Sequence, residues 1–306
     1  MIIALSGGIG GAKLALGLSR VLPPEELLII ANTGDDFEHF GLTICPDTDT
    51  LLYTLAGLDN PKLGWGRADE SWAFMETLAA LGGADWFRLG DRDLALHVLR
   101  SHRLRGGETL STITDDMRKR FGIGPCILPM SDDAVRTQIH TDQGWLDFQD
   151  WFVRLRAEPL ARAVKFAGVE RARPQPALLE ALRAKPRGIV IFPSNPFISI
   201  EPILAVPGLR DAIKASGAPV VAVSPIIAGQ AVKGPTARMF EALGVAPSAG
   251  AVAARYGDLL HGFVMEHGDD AADITPRVFY AETLMRDLAD KTALARQVLA
   301  AIDTLR

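Results

Sequence analysis

The stretch Ile2-Ile3-Ala4-Leu5-Ser6-Gly7-Gly8-Ile9-Gly10-Gly11-Ala12-Lys13 decides how the chain is read. Four apolar residues in a row, without polar alternation, predict a strand buried on both faces. The chain then enters a glycine-rich turn and a helical pattern, residues 12–21, with Leu14, Leu18 and Val21 on one face. Strand, glycine turn and helix in that order bring free backbone amides and the positive end of a helix dipole together, which suits a phosphate. Two commoner phosphate loops do not fit. A P-loop ends in Gly-Lys-Ser/Thr, whereas Ala12 stands between Gly11 and Lys13 and Leu14 follows. A dinucleotide fingerprint counted from Gly8 and Gly10 lands on Lys13 where it needs glycine, and the next strand ends in Asn32 where it needs an acid. Gly7, Gly8 and Gly10 remain as phosphate-facing backbone, with Lys13 as a charge clamp; a turn kept tight for packing is the plain alternative.

Outward from this unit, short apolar runs recur at residues 27–31, 189–192, 220–223 and 263–265, bounded by Gly, Pro, Ser or Asn. Amphipathic stretches, such as 209–215 and 234–243, lie between them. Strand and helix in alternation predict an α/β fold, Rossmann-like, with a mostly parallel sheet and helices on both faces. Residues 50–122 read differently, because helical periods dominate at 51–58, 71–81, 94–103 and 110–121. This region is expected to be a small helical insertion within a single α/β unit of residues 1–306. A hairpin is expected at 137–140 and 145–148 about Thr141-Asp142-Gln143-Gly144. A last helix, 289–305, puts Leu294, Val298 and Ile302 at spacing four and should pack on the body.

With 48% hydrophobic and 23% charged residues over 306 positions, the chain can bury a substantial core. A net charge of −5 and no long Lys or Arg run exclude a nucleic-acid footprint and favour small-molecule partners. The two cysteines, Cys45 and Cys126, support neither a disulfide framework nor a zinc ribbon, so a reducing cytoplasm is expected. Because the chain reaches a glycine turn by Gly7, no signal peptide is expected, and no apolar run approaches the roughly 20 residues needed to span a bilayer.

Between Asn32 and Thr50 stand four aspartates, Asp35, Asp36, Asp47 and Asp49, in a loop-like stretch after the second strand. Capping is a fair reading of Asp47-Thr48-Asp49-Thr50 ahead of Leu51 and Leu52. A cap needs only one short polar side chain, however, and two close acids repel unless a cation or donor stands by. Mg²⁺ suits such oxygen ligands, since no His or Cys cluster offers anything softer. Arg88-Leu89-Gly90-Asp91-Arg92-Asp93 packs mixed charge around a glycine and leads into a helix with His97 and Arg100; a salt-bridged turn is the alternative. Pro193-Ser194-Asn195-Pro196, Ser224-Pro225 and Lys233-Gly234-Pro235 add polar turns beside the later strands. Open α/β sheets bind ligands at the C-terminal strand ends, so these turns converge on one candidate site. The six histidines show no pairing with Ser or Cys that would support a nucleophilic triad.

The ordered series 6–13, Asn32-Thr-Gly-Asp-Asp36, Cys45-Pro-Asp-Thr-Asp-Thr50, Leu89-Gly-Asp-Arg-Asp93, Ile127-Leu-Pro-Met-Ser-Asp132, Phe148-Gln149, Pro193-Ser-Asn-Pro196 and Val223-Ser-Pro-Ile226 closely resembles the 2-phospho-L-lactate transferase family over nearly the whole chain. The resemblance implies a Mg²⁺-dependent cytoplasmic enzyme of coenzyme F-420 biosynthesis. Such an enzyme moves a phospholactyl-type group from a guanosine diphosphate-linked donor to the ribityl hydroxyl of the deazaflavin Fo and releases GMP. It also implies a homodimer. On this reading Asp49 and Arg88 contact Fo, and Asp47 and Asp49 are the catalytic carboxylates. Asp35, Asp36 and Asp47 are the metal candidates. Gly7, Gly8, Gly10 and Lys13 face donor phosphates, while Ser194, Asn195, Ser224 and Lys233 line the guanosine pocket. Whether the transferred acid is of lactate, enolpyruvate or glycerate type is left open by the sequence. The competing reading is a nucleotide-sugar-binding regulatory protein of the same superfamily, sharing the glycine loop without performing transfer; the Asp47 and Asp91 segments speak against it.

Overall fold

Strand β1 (Ile2–Ser6) sits inside a seven-stranded sheet in the computed structural model, which describes residues 1–61, 65–231, 236–242 and 244–306. The others, in chain order, are β2 (Leu27–Ala31), β3 (Cys126–Pro129), β4 (Gly188–Ile191), β5 (Val220–Val223), β6 (Gly262–Glu266) and β7 (Arg277–Ala281). Their spatial order is β7-β6-β5-β4-β1-β2-β3 and every pairing is parallel. The order reverses direction at β1, which pairs with β2 on one side (Ile2 opposite Leu27) and β4 on the other (Ile2 opposite Gly188). A Rossmann-like α/β architecture is therefore present.

The uninterrupted apolar strands sort their side chains by the two-residue period of the pleat. Ile3 and Leu5 join Ile30, Ile191 and Phe263 in a core on one face, while Ile2 and Ala4 join Ile29, Val190 and Val264 in a core on the other. The second face is covered by α1 (Gly8–Ser19), α2 (Pro46–Ala56) and the last helix, Leu288–Thr304, through Leu14, Leu18, Leu51, Leu294 and Val298. Gly17 of α1 allows this last helix to approach, since a Cβ there would collide with the carbonyl oxygen of Lys291. Helices α3 (Ala73–Ala80), α4 (Asp91–Arg105) and α5 (Leu110–Arg120) follow α2 before the chain returns to the sheet at β3. Ile44, Met75 and Leu89 form a separate small core between this helical region and the residues after β2.

Three elements depart from the sequence reading. The stretch after Asn32 is not simply a loop, because Phe37–His39 and Leu42–Ile44 pair as an antiparallel hairpin. Its turn residues Phe40 and Gly41 have φ of 52° and 70°, the left-handed pair of a tight hairpin turn, and Phe-Gly lacks the usual Asn-Gly signal. The expected hairpin at 137–148 is present as Arg136–Thr141 and Gly144–Asp147, but a third strand, Ala163–Ala167, pairs with its first strand. Strand β7 was also not anticipated, being an edge strand with Arg277 and Tyr280 exposed. Of the expected helix at 234–243, the described part is Thr236–Ala242; Lys233 and Gly234 lie outside the described residues. Among the described residues no helix is long and apolar enough to cross a membrane.

Candidate active site

The reversal of strand order at β1 opens a crevice between the C-terminal ends of β1 and β4, where a doubly wound sheet binds ligands. Gly7 leaves β1 there and Ser194 leaves β4. The Ser194 hydroxyl donates to the Gly7 carbonyl at 2.5 Å, and the Gly7 amide donates to Ser194 Oγ at 3.3 Å. The glycines are required by close approach. A Cβ on Gly10 would collide with the Pro193 carbonyl, and one on Gly7 with the Ser199 side chain. Gly8 opens α1 with φ of 62°. These residues line a cleft of about 820 Å³, within the size range of small-molecule sites. Lys13 also lines the cleft, its ammonium donating to the Met285 carbonyl at 2.9 Å.

The acids of the 32–50 stretch divide into two groups around this crevice. Asn32, at the end of β2, directs its amide nitrogen to Asp35 Oδ1 at 2.8 Å, Asp47 Oδ2 at 2.9 Å and the Ile198 carbonyl at 3.1 Å. Its own oxygen accepts from the Gly34 amide at 2.8 Å, which fixes the turn that presents Asp35. Both carboxylates are buried and both line the cleft. Burial pushes the Asp35 carboxyl well above the ordinary range and Asp47 pushes it further. Burial also raises Asp47, to about 6, against the Asn32 and Gly8 hydrogen bonds that favour its charged form. Two interior carboxylates on one neutral donor need a shared proton or a cation between them. Asp36 is buried too, but it does not line the cleft. Burial raises it to about 7, against the opposing charge of Arg136 and the influence of the Cys45 thiol.

Asp47 and Asp49 do not cap α2. The helix starts at Pro46, whose ring suits the first position, and both acids lie in its first turn. Asp49 is gripped by Arg100 of α4, with Nη1 at 3.0 Å from Oδ2 and Nη2 on Oδ1. Arg100 is fully buried, and burial that would discharge it is overcome by the Asp49 charge, so it is held above the usual arginine range. His97, one turn earlier, places Nδ1 3.6 Å from Asp49 and Nε2 3.2 Å from Asp93, which also takes the Tyr53 hydroxyl at 2.5 Å. Asp49, Asp93 and His97 are the one set of three metal-ligating side chains that converge among the described residues. Asp49 there is already matched by a guanidinium.

The cleft wall also carries aromatic side chains: Trp65, Trp86, Phe87, Phe148 and Phe152 line it, together with Arg88. The Arg88 guanidinium lies 4.2 Å over the Trp72 ring, which holds the arm that carries it. Of the remaining candidates, Asn195 and Ser224 line the cleft but use their side chains locally. Asn195 Oδ1 accepts from the Phe197 amide at 2.9 Å, capping the turn after β4, and Ser224 Oγ accepts from the Ile226 amide at 3.1 Å. Lys233 lies outside the described residues. Asn32, Arg100 and the aromatic wall were not among the sequence candidates. The spacing Asp93, His97, Arg100 did place three polar groups on one helix face, which is the signal that could have found that network.

Comparison with known proteins agrees with this geometry. The model of the 2-phospho-L-lactate transferase CofD family matches residues 2–300. A phosphoenolpyruvate transferase from Streptomyces griseus is 42% identical over 319 residues, covering all of this chain and 99% of the relative. One from Thermobifida fusca is 43% identical, covering 88% and 87% of the two chains. A crystal structure of a UPF0052-family protein from Bacillus halodurans shares the fold, with a TM-score of 0.63 at 16% identity, covering 97% of this chain and 99% of that one. The chain belongs to the 2-phospho-L-lactate transferase CofD family and is a transferase.

Proposed function

We propose that the protein transfers an enolpyruvyl phosphate group from a guanosine diphosphate-linked donor to the ribityl hydroxyl of the deazaflavin Fo, with Mg²⁺, releasing GMP. The observation that carries this reading is the Asp35 and Asp47 pair, held on the Asn32 amide in the cleft that the glycine turn and the aromatic side chains also line. The name shared by relatives 37–43% identical over most of the chain favours enolpyruvate over lactate or glycerate as the transferred acid.

The donor set fits the cation: two hard carboxylate oxygens with substrate phosphates completing the shell are what Mg²⁺ takes. Asp35 and Asp47 would hold Mg²⁺, which when bound neutralises diphosphate charge. The Gly7 to Gly10 turn and the α1 N-terminus supply amides and dipole for the same diphosphate. The aromatic wall stacks the deazaflavin ring, and Arg88 at its edge reaches polar ring atoms. Asp49 accepts from the ribityl hydroxyl and points it along the line of attack. The hydroxyl oxygen forms a bond to the phosphorus bearing the enolpyruvyl group while its proton passes to Asp49 and on to solvent, the bond from that phosphorus to the bridging oxygen breaks, and GMP leaves with that oxygen. Phosphoryl transfer of this kind rests on positioning and charge stabilisation, so no covalent enzyme intermediate is needed.

Incubation with Fo, Mg²⁺ and guanosine diphospho-enolpyruvate, -lactate or -glycerate, followed by mass spectrometry, tests the reading. The expected result is a phosphodiester of Fo and one GMP per turnover, fastest with the enolpyruvyl donor. No phosphodiester with any donor sinks it.

A further inference from the structure

Asp49 is a short side chain in the first turn of a helix, and nothing on its own helix fixes its rotamer. The residues that fix it come from α4, on a separate segment of the helical region. Arg100 uses both terminal nitrogens on the two oxygens of Asp49, and its Nη1 also lies 3.4 Å from the Thr43 carbonyl and 3.5 Å from His97 Nδ1. His97 in turn stands between this pair and Asp93, whose other oxygen holds Tyr53. The His97 Nδ1 lies 3.5 Å from Arg100 Nη1 and 3.6 Å from Asp49 Oδ2, so the imidazole ring packs against both members of the pair. The chain Tyr53, Asp93, His97, Arg100, Asp49 crosses from α2 to α4 and back to α2.

Such a network is costly as a mere brace. Replacing a buried ion pair by apolar groups of similar volume is often neutral or stabilising, because two charges must be taken out of water. Here the alternative was within reach, since the same face of α4 contributes Leu96 to the apolar core. The charged set also opens on the cleft rather than lying behind it: Tyr53, Asp93, His97 and Asp49 all line the cavity, with Arg100 fully buried beneath.

We propose that Arg100 and His97 are positioning residues for Asp49, holding its carboxylate in the one orientation that receives the acceptor hydroxyl. The inference rests on the transferase reading given above. Arg100 does the orienting through its planar fork, which a lysine ammonium cannot reproduce at the same charge. His97 sets where that fork lies by packing and hydrogen-bonding against its edge.

The test is a double-mutant cycle on turnover, with folding of every variant checked by thermal melt. Arg100→Lys should lower kcat about 100-fold, the scale of a misplaced reacting group, with the donor KM nearly unchanged. In the Asp49→Asn background the same Arg100→Lys change should cost less than about 3-fold, because the group it acts through is already gone. His97→Gln should follow the same non-additive pattern with a smaller loss. Guanidinium in solution should restore part of the turnover of Arg100→Ala but none in the double variant Asp49→Asn, Arg100→Ala. Additive losses, or unchanged kcat in a folded Arg100→Lys protein, overturn the positioning role while wild-type turnover leaves the transferase reading standing. Absence of wild-type turnover with every donor removes that reading and this proposal with it.

Discussion

The amide nitrogen of Asn32 lies 2.9 Å from Asp47 Oδ2, joining the end of the second strand to the first turn of α2 across 15 positions of sequence. The same nitrogen serves Asp35, so one neutral side chain sets the spacing of both acids. Asn32→Ala should leave the fold intact and weaken activity at limiting Mg²⁺ by about 10- to 100-fold, as removal of a group that orients metal ligands does. Titration of turnover against Mg²⁺ checks this. An unchanged midpoint would show that the acids keep their places without it.

Proton binding by the buried acids makes a separate prediction about stability. Asp36 and Asp47 have pKa values raised to about 7 and about 6, and Asp35 is raised well beyond its ordinary value, in each case first by burial. The folded metal-free protein therefore binds more protons than the unfolded chain between about pH 4 and pH 7, and stability falls as pH rises through that window. Surface acids such as Asp115 and Asp116 are shifted down and act oppositely, losing their contribution only below about pH 4, the unfolded carboxylate range. Melts of chelator-treated protein should give a higher Tm at pH 5 than at pH 8. Added Mg²⁺ should raise Tm more at pH 8 than at pH 5, because protons no longer compete for the carboxylates. A flat profile, or a Mg²⁺ shift that is larger at pH 5, contradicts the assignment.

The glycine turn can be probed against a control in the same chain. Gly10→Ala forces a methyl into the Pro193 carbonyl, so the β1 and β4 turns must part, at a cost of about 1–3 kcal/mol typical of overpacking. Gly250, in the helix Ala249–Tyr256, has only ordinary contacts around a would-be Cβ, and Gly250→Ala should be neutral or stabilising by up to about 1 kcal/mol. Denaturant unfolding of the two variants, with GMP binding measured alongside, should show loss of both stability and binding for Gly10→Ala alone.

Arg88 and the aromatic wall should act on the acceptor and not on the donor. Arg88→Ala should raise the KM for Fo roughly 10-fold with little change in kcat, the pattern of a contact made equally in ground and transition states. Trp86→Ala should do the same through lost stacking. Steady-state kinetics with each substrate varied in turn distinguishes this from a donor effect, and an equal rise in both KM values would move these residues away from the acceptor.

Much of this was legible from residue order because parallel strands announce themselves by unbroken apolarity, as at residues 2–5 and 27–31, and because glycine next to such a strand has few other uses. Aspartates 35 and 47 were legible as a charge cluster. Asn32 was not, although it organises them, because an uncharged amide leaves no mark on a charge pattern and its partners lie 3 and 15 residues away. Asp36 looked equivalent to its neighbour Asp35, yet successive residues of an extended turn point apart, and it meets Cys45 behind the cleft. Trp65, Trp86, Phe87 and Phe148 reach one wall from separate segments. Nothing local separates an aromatic side chain facing a cleft from one buried in a core. Asp49 and Arg100 illustrate the same limit, each in a helix whose pattern is readable and whose pairing is tertiary.

The close crossing of α1 and the last helix at Gly17 bears on how the chain folds. Leu14 and Leu18, in the helix that follows the glycine turn, share one apolar core with Leu294, Ala295 and Val298, residues far removed from them in sequence. Contacts of such long sequence separation cost loop-closure entropy before they return stability, which slows their formation. A chain in which the last helix fails to dock would leave an apolar face of α1 open beside the glycine turn, a surface prone to aggregation and to capture by chaperones and proteases.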